Sequence, residues 1–257
     1  MKSCFDLDGR TAFVIGGTSG LGKAIALGLA AHGADVVSSG RAQQPVDDTA
    51  LEIEALGRRT LRRVVDAGSR ESIDALRDAV LAALGRVDIL VNAAGYTQRL
   101  PTAEVSESDW DRLIDTNLHG VLRGCQSLYP ALKASGRGRV INIASLASFV
   151  AFHEVAAYGA SKSALLSLTR SLGCEWARDG ICVNAIAPGV FPTELNSELI
   201  EGTERGREIL MRTPMRRFGR PEELVGAAVL LASDAASFLT GQCIVVDGGF
   251  LASGANS

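Results

Sequence analysis

Aromatic residues are scarce in this chain, 5% of 257, and histidine occurs only three times. His32, His119 and His153 stand at no metal-ligand spacing, so no catalytic metal is expected. The five cysteines (Cys4, Cys125, Cys174, Cys182, Cys243) are scattered and form no C-x-x-C. They read as reduced thiols of a cytoplasmic protein rather than as a disulfide framework. No run of 18 apolar residues and no apolar leader is present, so neither a spanning helix nor a secretory signal is expected. An excess of one charge is missing as well. Twenty-six Lys and Arg against 29 Asp and Glu leave −3, with no basic-aromatic stripe. That balance gives no support to nucleic acid or an anionic membrane as a partner.

What is present is an alternation. Short apolar runs, Thr11–Ile15, Asp35–Ser38, Leu61–Val65, Val87–Val91, Val140–Ile143, Cys182–Ile186 and Cys243–Val246, are separated by helical stretches. This predicts one α/β domain over residues 1–257, a Rossmann-type doubly wound sheet of seven parallel strands with helices on both faces. Ligands of such sheets bind beyond the carboxyl ends of the strands. Gly16, Asn92, Ser145 and Pro188 all follow a predicted strand.

Gly16-Gly-Thr18-Ser19-Gly20-Leu21-Gly22 joins the first strand to a helical pattern from Lys23 to His32. Glycines at such a turn let backbone N–H groups approach a pyrophosphate, and the helix N-terminus favours its charge. The spacing G-x-x-x-G-x-G differs from the G-x-G-x-x-G dinucleotide fingerprint, and no Lys-Ser/Thr ending marks a triphosphate loop. After the second strand, where an acidic residue would hold a ribose 2′-hydroxyl, stand Gly40 and Arg41. This favours NADP(H) over NAD(H), although Arg41 also reads as a solvated loop residue and Thr18 and Ser19 add no second cation.

Tyr158 and Lys162 lie four residues apart, on one face of a predicted helix. A fixed cation beside a phenol stabilises the phenolate and fits it for proton transfer. Ser145, at the end of the fifth predicted strand, offers a hydroxyl to the same substrate oxygen.

These motifs resemble the short-chain dehydrogenase/reductase family. The likeness runs from Gly9 to Gly249 and includes, in order, Gly16–Gly22, Asp66, Asn92-Ala93-Ala94-Gly95, Asn117, Ser145, Tyr158/Lys162, Pro188-Gly189 and Thr193. It implies an enzyme that interconverts a secondary alcohol and a ketone with NAD(P)(H). Tyr158 would be the general acid/base and Ser145 would orient the substrate. Lys162 would hold the nicotinamide ribose and lower the tyrosine pKa, and Asn117 would anchor a water in a proton relay. Asp66 would lie near the adenine, Asn92, Ala93 and Gly95 near the adenosine ribose, and Pro188, Gly189, Val190 and Thr193 near the carboxamide. Ile15 in place of a common Thr, and Ala67-Gly68 in place of Val-Thr, depart from the family pattern.

Asn92-Ala-Ala-Gly-Tyr96 with Arg99, Pro188-Gly-Val-Phe191 with Thr193-Glu194, Arg212-Thr-Pro214, and Arg217-Phe-Gly219 before Pro221–Ala228 resemble the gluconate 5-dehydrogenase branch. That likeness implies a sugar acid as substrate. Its carboxylate suits an arginine fork, with Arg99 and then Arg212 as candidates. Both also read as surface arginines, and His153 and Glu154, between Ser145 and Tyr158, are expected near the substrate mouth. A 3-oxoacyl thioester is the alternative substrate, with Arg123, Arg137 and Arg139 as a basic surface for an acidic carrier. A non-catalytic redox sensor is the remote alternative. The family further implies a substrate lid over 191–217 and, with the apolar edge strand Cys243–Val246, a homotetramer.

Overall fold

The computed structural model describes residues 3–193, 197–200 and 202–254. Six parallel strands are present among them: β1 (Thr11–Ile15), β2 (Asp35–Ser39), β3 (Ile89–Asn92), β4 (Arg139–Ile143), β5 (Cys182–Pro188) and β6 (Cys243–Val246). They pair in the order β2-β1-β3-β4-β5-β6. The helices are α1 (Gly20–Ala31), α2 (Gln43–Ala55), α3 (Arg70–Leu84), α4 (Glu107–Ile114), α5 (Gly120–Ser135), α6 (Ala156–Glu175), α7 (Ser197–Ile200), α8 (Glu204–Arg212) and α9 (Val225–Ala232).

Period-two alternation divides the core. Ala12 and Val14 of β1 face Ile25 and Leu29 of α1 and Val229 of α9. Phe13 and Ile15 face the other layer, with Ile73 of α3, Leu128 of α5 and Leu165 of α6. Burial on both faces is why the strands read as continuous apolar runs. In register, Ile15 stands beside both Ser39 and Asn92, and Asn92 beside Asn142. The carboxyl ends therefore finish level, and the loops leaving them meet.

The seventh strand, expected at Leu61–Val65, is not formed. The segment touches the outer edge of β2 through two backbone bonds, Val36 N–H to the Arg59 carbonyl and Val65 N–H to the Gly40 carbonyl. Arg62, Arg63 and Val64 are exposed and only Val65 is buried, so no alternating face is available to pack.

The helical stretch from Glu107 to Ser135 is continuous along the chain but not uniform in hydrogen bonding. Ser106 caps α4 by accepting from Asp109 N–H at 3.1 Å. A π-helical turn of five residues, Asp115–His119, then precedes α5. Such widened turns cost helix regularity and concentrate at functional positions. Asn117 lies in it.

Of the stretch expected to form a lid, residues 194–196 and 201 lie outside the described residues. In the remainder, Thr203 caps α8 through Gly206 N–H, and Phe191, Ile200 and Ile209 are buried. No helix among the described residues is long and apolar enough to cross a membrane.

Candidate active site and cofactor cradle

The glycine turn is packed backbone against backbone. Gly16 has φ +80°, and a Cβ there would run into the backbone of Ala94; one on Gly22 would strike the Gly16 carbonyl. Ser38 Oγ donates to the Gly17 carbonyl at 2.5 Å and fixes the turn on β2. Gly20, φ +49°, faces Thr193, whose Cγ2 is 3.3 Å from where a Cβ would be. Ser19 precedes α1 without a side-chain capping bond, so its first N–H groups remain for an anion. At the end of β2, a Cβ on Gly40 would lie 2.5 Å from Thr18 Oγ1. Arg41 follows it, exposed and without an ion pair among the described residues.

Ser145 follows β4, and its Oγ accepts from Ala147 N–H at 3.1 Å, which leaves its own proton to give. Tyr158 enters in the first turn of α6 with Ser145 as the hydroxyl facing its phenol. One turn on, Lys162 is 5% exposed and donates to the Ile143 carbonyl at 2.7 Å, with Nζ 5.8 Å from the Tyr158 ring centre. Two of its three donors have no protein partner among the described residues. The fully buried Asn117 accepts from Tyr96 N–H at 3.0 Å and donates to the Tyr96 carbonyl at 2.9 Å and Ser161 Oγ at 3.2 Å. A Cβ on Gly95 would lie 3.0 Å from Asn117 Oδ1 and 3.5 Å from Lys162 Nζ. Asn117, Ser145, Tyr158 and Lys162 are thus brought to one place from the π-helical turn, the loop after β4 and the first turns of α6.

Electrostatics at this place run against the simplest expectation. Burial pushes the Tyr158 phenol above its ordinary value and the Ser145 hydroxyl opposes it. Burial also brings the Lys162 ammonium down to about 8. The lysine does not reverse the upward direction on tyrosine. It remains protonated at neutral pH, as a cation held in low dielectric.

The residues fit a nicotinamide dinucleotide. The glycine turn is a cradle that Cβ atoms would fill, α1 offers free N–H groups, and Lys162 has two donors for a ribose. Tyr96 Oη is buried with no partner among the described residues.

A family model described as enoyl-(acyl carrier protein) reductase, of the short-chain alcohol dehydrogenase type, matches residues 16–251. The chain is 39% identical over 249 residues to gluconate 5-dehydrogenase of Gluconobacter oxydans, covering 97% of each. It is 41% identical over 251 residues to 2-dehydro-3-deoxy-D-gluconate 5-dehydrogenase of Escherichia coli, covering 97% of this chain and 98% of the relative. The chain belongs to the short-chain dehydrogenase/reductase family. It is an oxidoreductase acting on CH–OH groups. The crystal structure of gluconate 5-dehydrogenase from Burkholderia cenocepacia, in complex with NADP and tartrate, superposes with a TM-score of 0.93 at 38% identity, covering 97% of this chain and 98% of that one.

Several expected contacts of this short-chain dehydrogenase/reductase are otherwise engaged. Asn92 is turned into the core, where its amide donates to Asn142 Oδ1 at 2.9 Å and approaches Cys125 Sγ at 3.5 Å. Only its main chain, with Ala93 and Gly95 after it, is left toward a ribose. Asp66 is exposed, and its Oδ1 accepts from Gly68 N–H at 2.9 Å in a local turn. Gly189 backs onto Asp247, and Val190 accepts from Gly219 N–H at 3.0 Å, so the segment after Pro188 is braced from two sides.

On the substrate side, Arg99 is bound to Glu154 at 2.7 Å. His153 is 81% exposed, and Arg212 pairs with Glu208 along α8 at 3.1 Å. The basic surface expected from Arg123, Arg137 and Arg139 does not exist. Arg139 is 4% exposed and spent on the Ser233 and Gly138 carbonyls. Arg137 pairs with Asp88, and Arg123 with Asp115. Moreover, Arg137 and Arg139 lie at the amino end of β4, the wrong end for this site. A cavity of roughly 320 Å³ between α4 and the start of α6, beside Trp110 and Asp111, is lined by none of the four clustered residues. Sequence reasoning placed Glu154 near the substrate mouth but missed its pairing with Arg99 and the role of Tyr96 as the clamp of Asn117. Both stand within four residues of a recognised motif, but the long-range partners that give them meaning are not local.

Proposed function

We propose that the protein interconverts a secondary alcohol and a ketone on a sugar acid of the gluconate/5-ketogluconate kind, with NADP(H) favoured over NAD(H). The observation that carries the reaction is the convergence of Ser145, Tyr158, Lys162 and Asn117 beside the glycine cradle. The bound nicotinamide supplies or takes the hydride at the carbonyl carbon. Ser145 donates a hydrogen bond to the substrate oxygen and holds it beside Tyr158. Tyr158 gives a proton to that oxygen in reduction and takes one from it in oxidation. Lys162 holds the ribose with its two unspent donors, and its charge below about pH 8 favours the phenolate. Because the Asn117 side chain is occupied, its main-chain carbonyl is the group left to hold a relay water. Gly40 supports the cofactor preference: an acidic side chain there would collide with Thr18, while Arg41 is free to meet a 2′-phosphate.

The sugar acid is supported by two gluconate-type relatives and by the unspent donors of Arg99. The acyl-thioester reading loses its basic docking surface. Within this reading the segment 191–217 acts as the substrate lid, the protein is cytoplasmic, and β6 at the sheet edge belongs to a homotetramer contact. Oxidation of NADPH and NADH with 5-ketogluconate and with a 3-oxoacyl thioester tests the assignment. Saturable turnover of the keto acid, faster with NADPH, is expected. Arg41→Ala raises the KM for NADPH about tenfold and leaves that for NADH unchanged. Turnover of the thioester alone rules the sugar-acid reading out.

A further inference from the structure

Glu154 holds the loop after β3 by two separate bonds. Its carbonyl accepts from Leu100 N–H at 2.8 Å and its Oε2 from Arg99 Nε at 2.7 Å. It does so from φ +63°, in the left-handed region that disfavours any residue with a Cβ. It stands four residues before Tyr158, so the clamp joins the catalytic segment to Arg99. Only Nε of Arg99 is used; neither Nη group has a partner among the described residues. The Nη edge is the second of the two bidentate faces of a guanidinium.

We propose that Glu154 is a positioning residue that fixes Arg99 through Nε and presents its Nη edge to the carboxylate of the sugar-acid substrate. The inference rests on the sugar-acid reading above. A long arginine side chain otherwise loses rotamer freedom when it binds, and the tether removes part of that loss before the substrate arrives. The Glu154 charge also repels a second carboxylate. Arg99 is 47% exposed, however, so solvent and salt screen that repulsion, whereas the geometric constraint is not screened.

The test is the KM for 5-ketogluconate in Arg99→Ala, Glu154→Gly, Glu154→Gln and the double variant Arg99→Ala/Glu154→Gly. Glycine accepts the observed φ, so the deletion keeps its backbone. Arg99→Ala raises KM about thirtyfold. Glu154→Gly raises it about fivefold with kcat within about twofold. Glu154→Gln, which still accepts from Nε, stays within about twofold of the wild type. The double variant matches Arg99→Ala alone. An unchanged or lowered KM in Glu154→Gly, or the same fivefold rise in the Arg99→Ala background, overturns the proposal while leaving the sugar-acid reading intact. Absence of sugar-acid turnover by the wild type overturns both.

Discussion

At the amino ends of the strands, Arg10, Arg86, Arg137 and Arg139 are set against Asp88 and Asp234, and each arginine has a carboxylate or carbonyl partner. Asp88, fully buried, accepts from Thr11 N–H at 2.9 Å and pairs with Arg86 at 2.5 Å and Arg137 at 3.1 Å. Arg10 and Arg139 reach the Ala232 and Ser233 carbonyls where α9 ends. At the carboxyl ends the same sheet buries Lys162 with one carbonyl and, among the described residues, no carboxylate partner. Tyr158 and Ser145 face each other there, and Tyr96 Oη has no partner among the described residues. One end spends its polar groups on closing the fold. The other keeps donors unspent, at a cost in stability, where the nucleotide and substrate are proposed to bind.

The comparison is tested most severely by Tyr158→Phe. At the carboxyl end, loss of one hydroxyl removes the proton donor, and kcat falls about a thousandfold. Because that hydroxyl closes no part of the core, the urea midpoint stays within error and NADPH titration by fluorescence is unchanged. A kcat near the wild-type value removes Tyr158 from the chemistry.

Asp88→Ala probes the opposite end. It leaves Thr11 N–H and two arginines without their acceptor and destabilises the fold by about 3 kcal/mol. Activity per folded molecule does not change. A substantial change in KM for NADPH at unchanged stability would show that the two ends are not separable in this way.

Lys162→Met sharpens the contrast, because here loss of function and gain of stability go together. The folded lysine holds its proton less tightly than the unfolded one, about 8 against 10.5. Its cost is therefore fully present below pH 8 and disappears as pH rises through 10.5. The cost is on the order of 3 kcal/mol, offset by about 1 kcal/mol for the Ile143 carbonyl left unpaired. Net stabilisation of about 1–2 kcal/mol at pH 7, read from urea unfolding, shrinks by pH 10 while turnover is lost at both.

What was legible in the sequence follows the same division. Gly16–Gly22, Ser145 and Tyr158/Lys162 were visible because their chemistry demands residue types at fixed short spacing. Six of the seven expected strands form, each within two residues of its expected bounds; β1 to β5 declare themselves by burial on both faces, whereas β6 is only partly buried. Leu61–Val65 misled because an apolar run beside two exposed arginines can rest against an edge without pairing along it. Asn92 misled in another way. A polar residue after a strand can point to a ligand or inward, and here Asn142 and Thr169, from β4 and α6, complete an internal amide chain. Arg139 resembled surface because the Ser233 carbonyl that it reaches lies at the end of α9, 94 residues away.

The smallest effect expected belongs to Asp234. Arg10 above all, with Arg139 and Arg137, holds its carboxyl below the usual carboxylate range against a burial effect that raises it. A lowered folded pKa contributes stability above the unfolded value of about 3.9, and that stability is lost as pH falls through the folded one. Asp234 is 61% exposed, so solvent screening limits the pair to under about 1 kcal/mol. Asp234→Asn is therefore slightly less stable than the wild type, by a constant margin between pH 7 and 5. The margin closes as pH drops below about 4, where the unfolded chain takes up this proton first and the folded carboxylate follows at lower pH. Urea midpoints of the two proteins across that range decide it. A margin that persists at the acid end means that Arg10 and Arg139 are held by the α9 carbonyls alone, and that the amino end closes the fold without this charge.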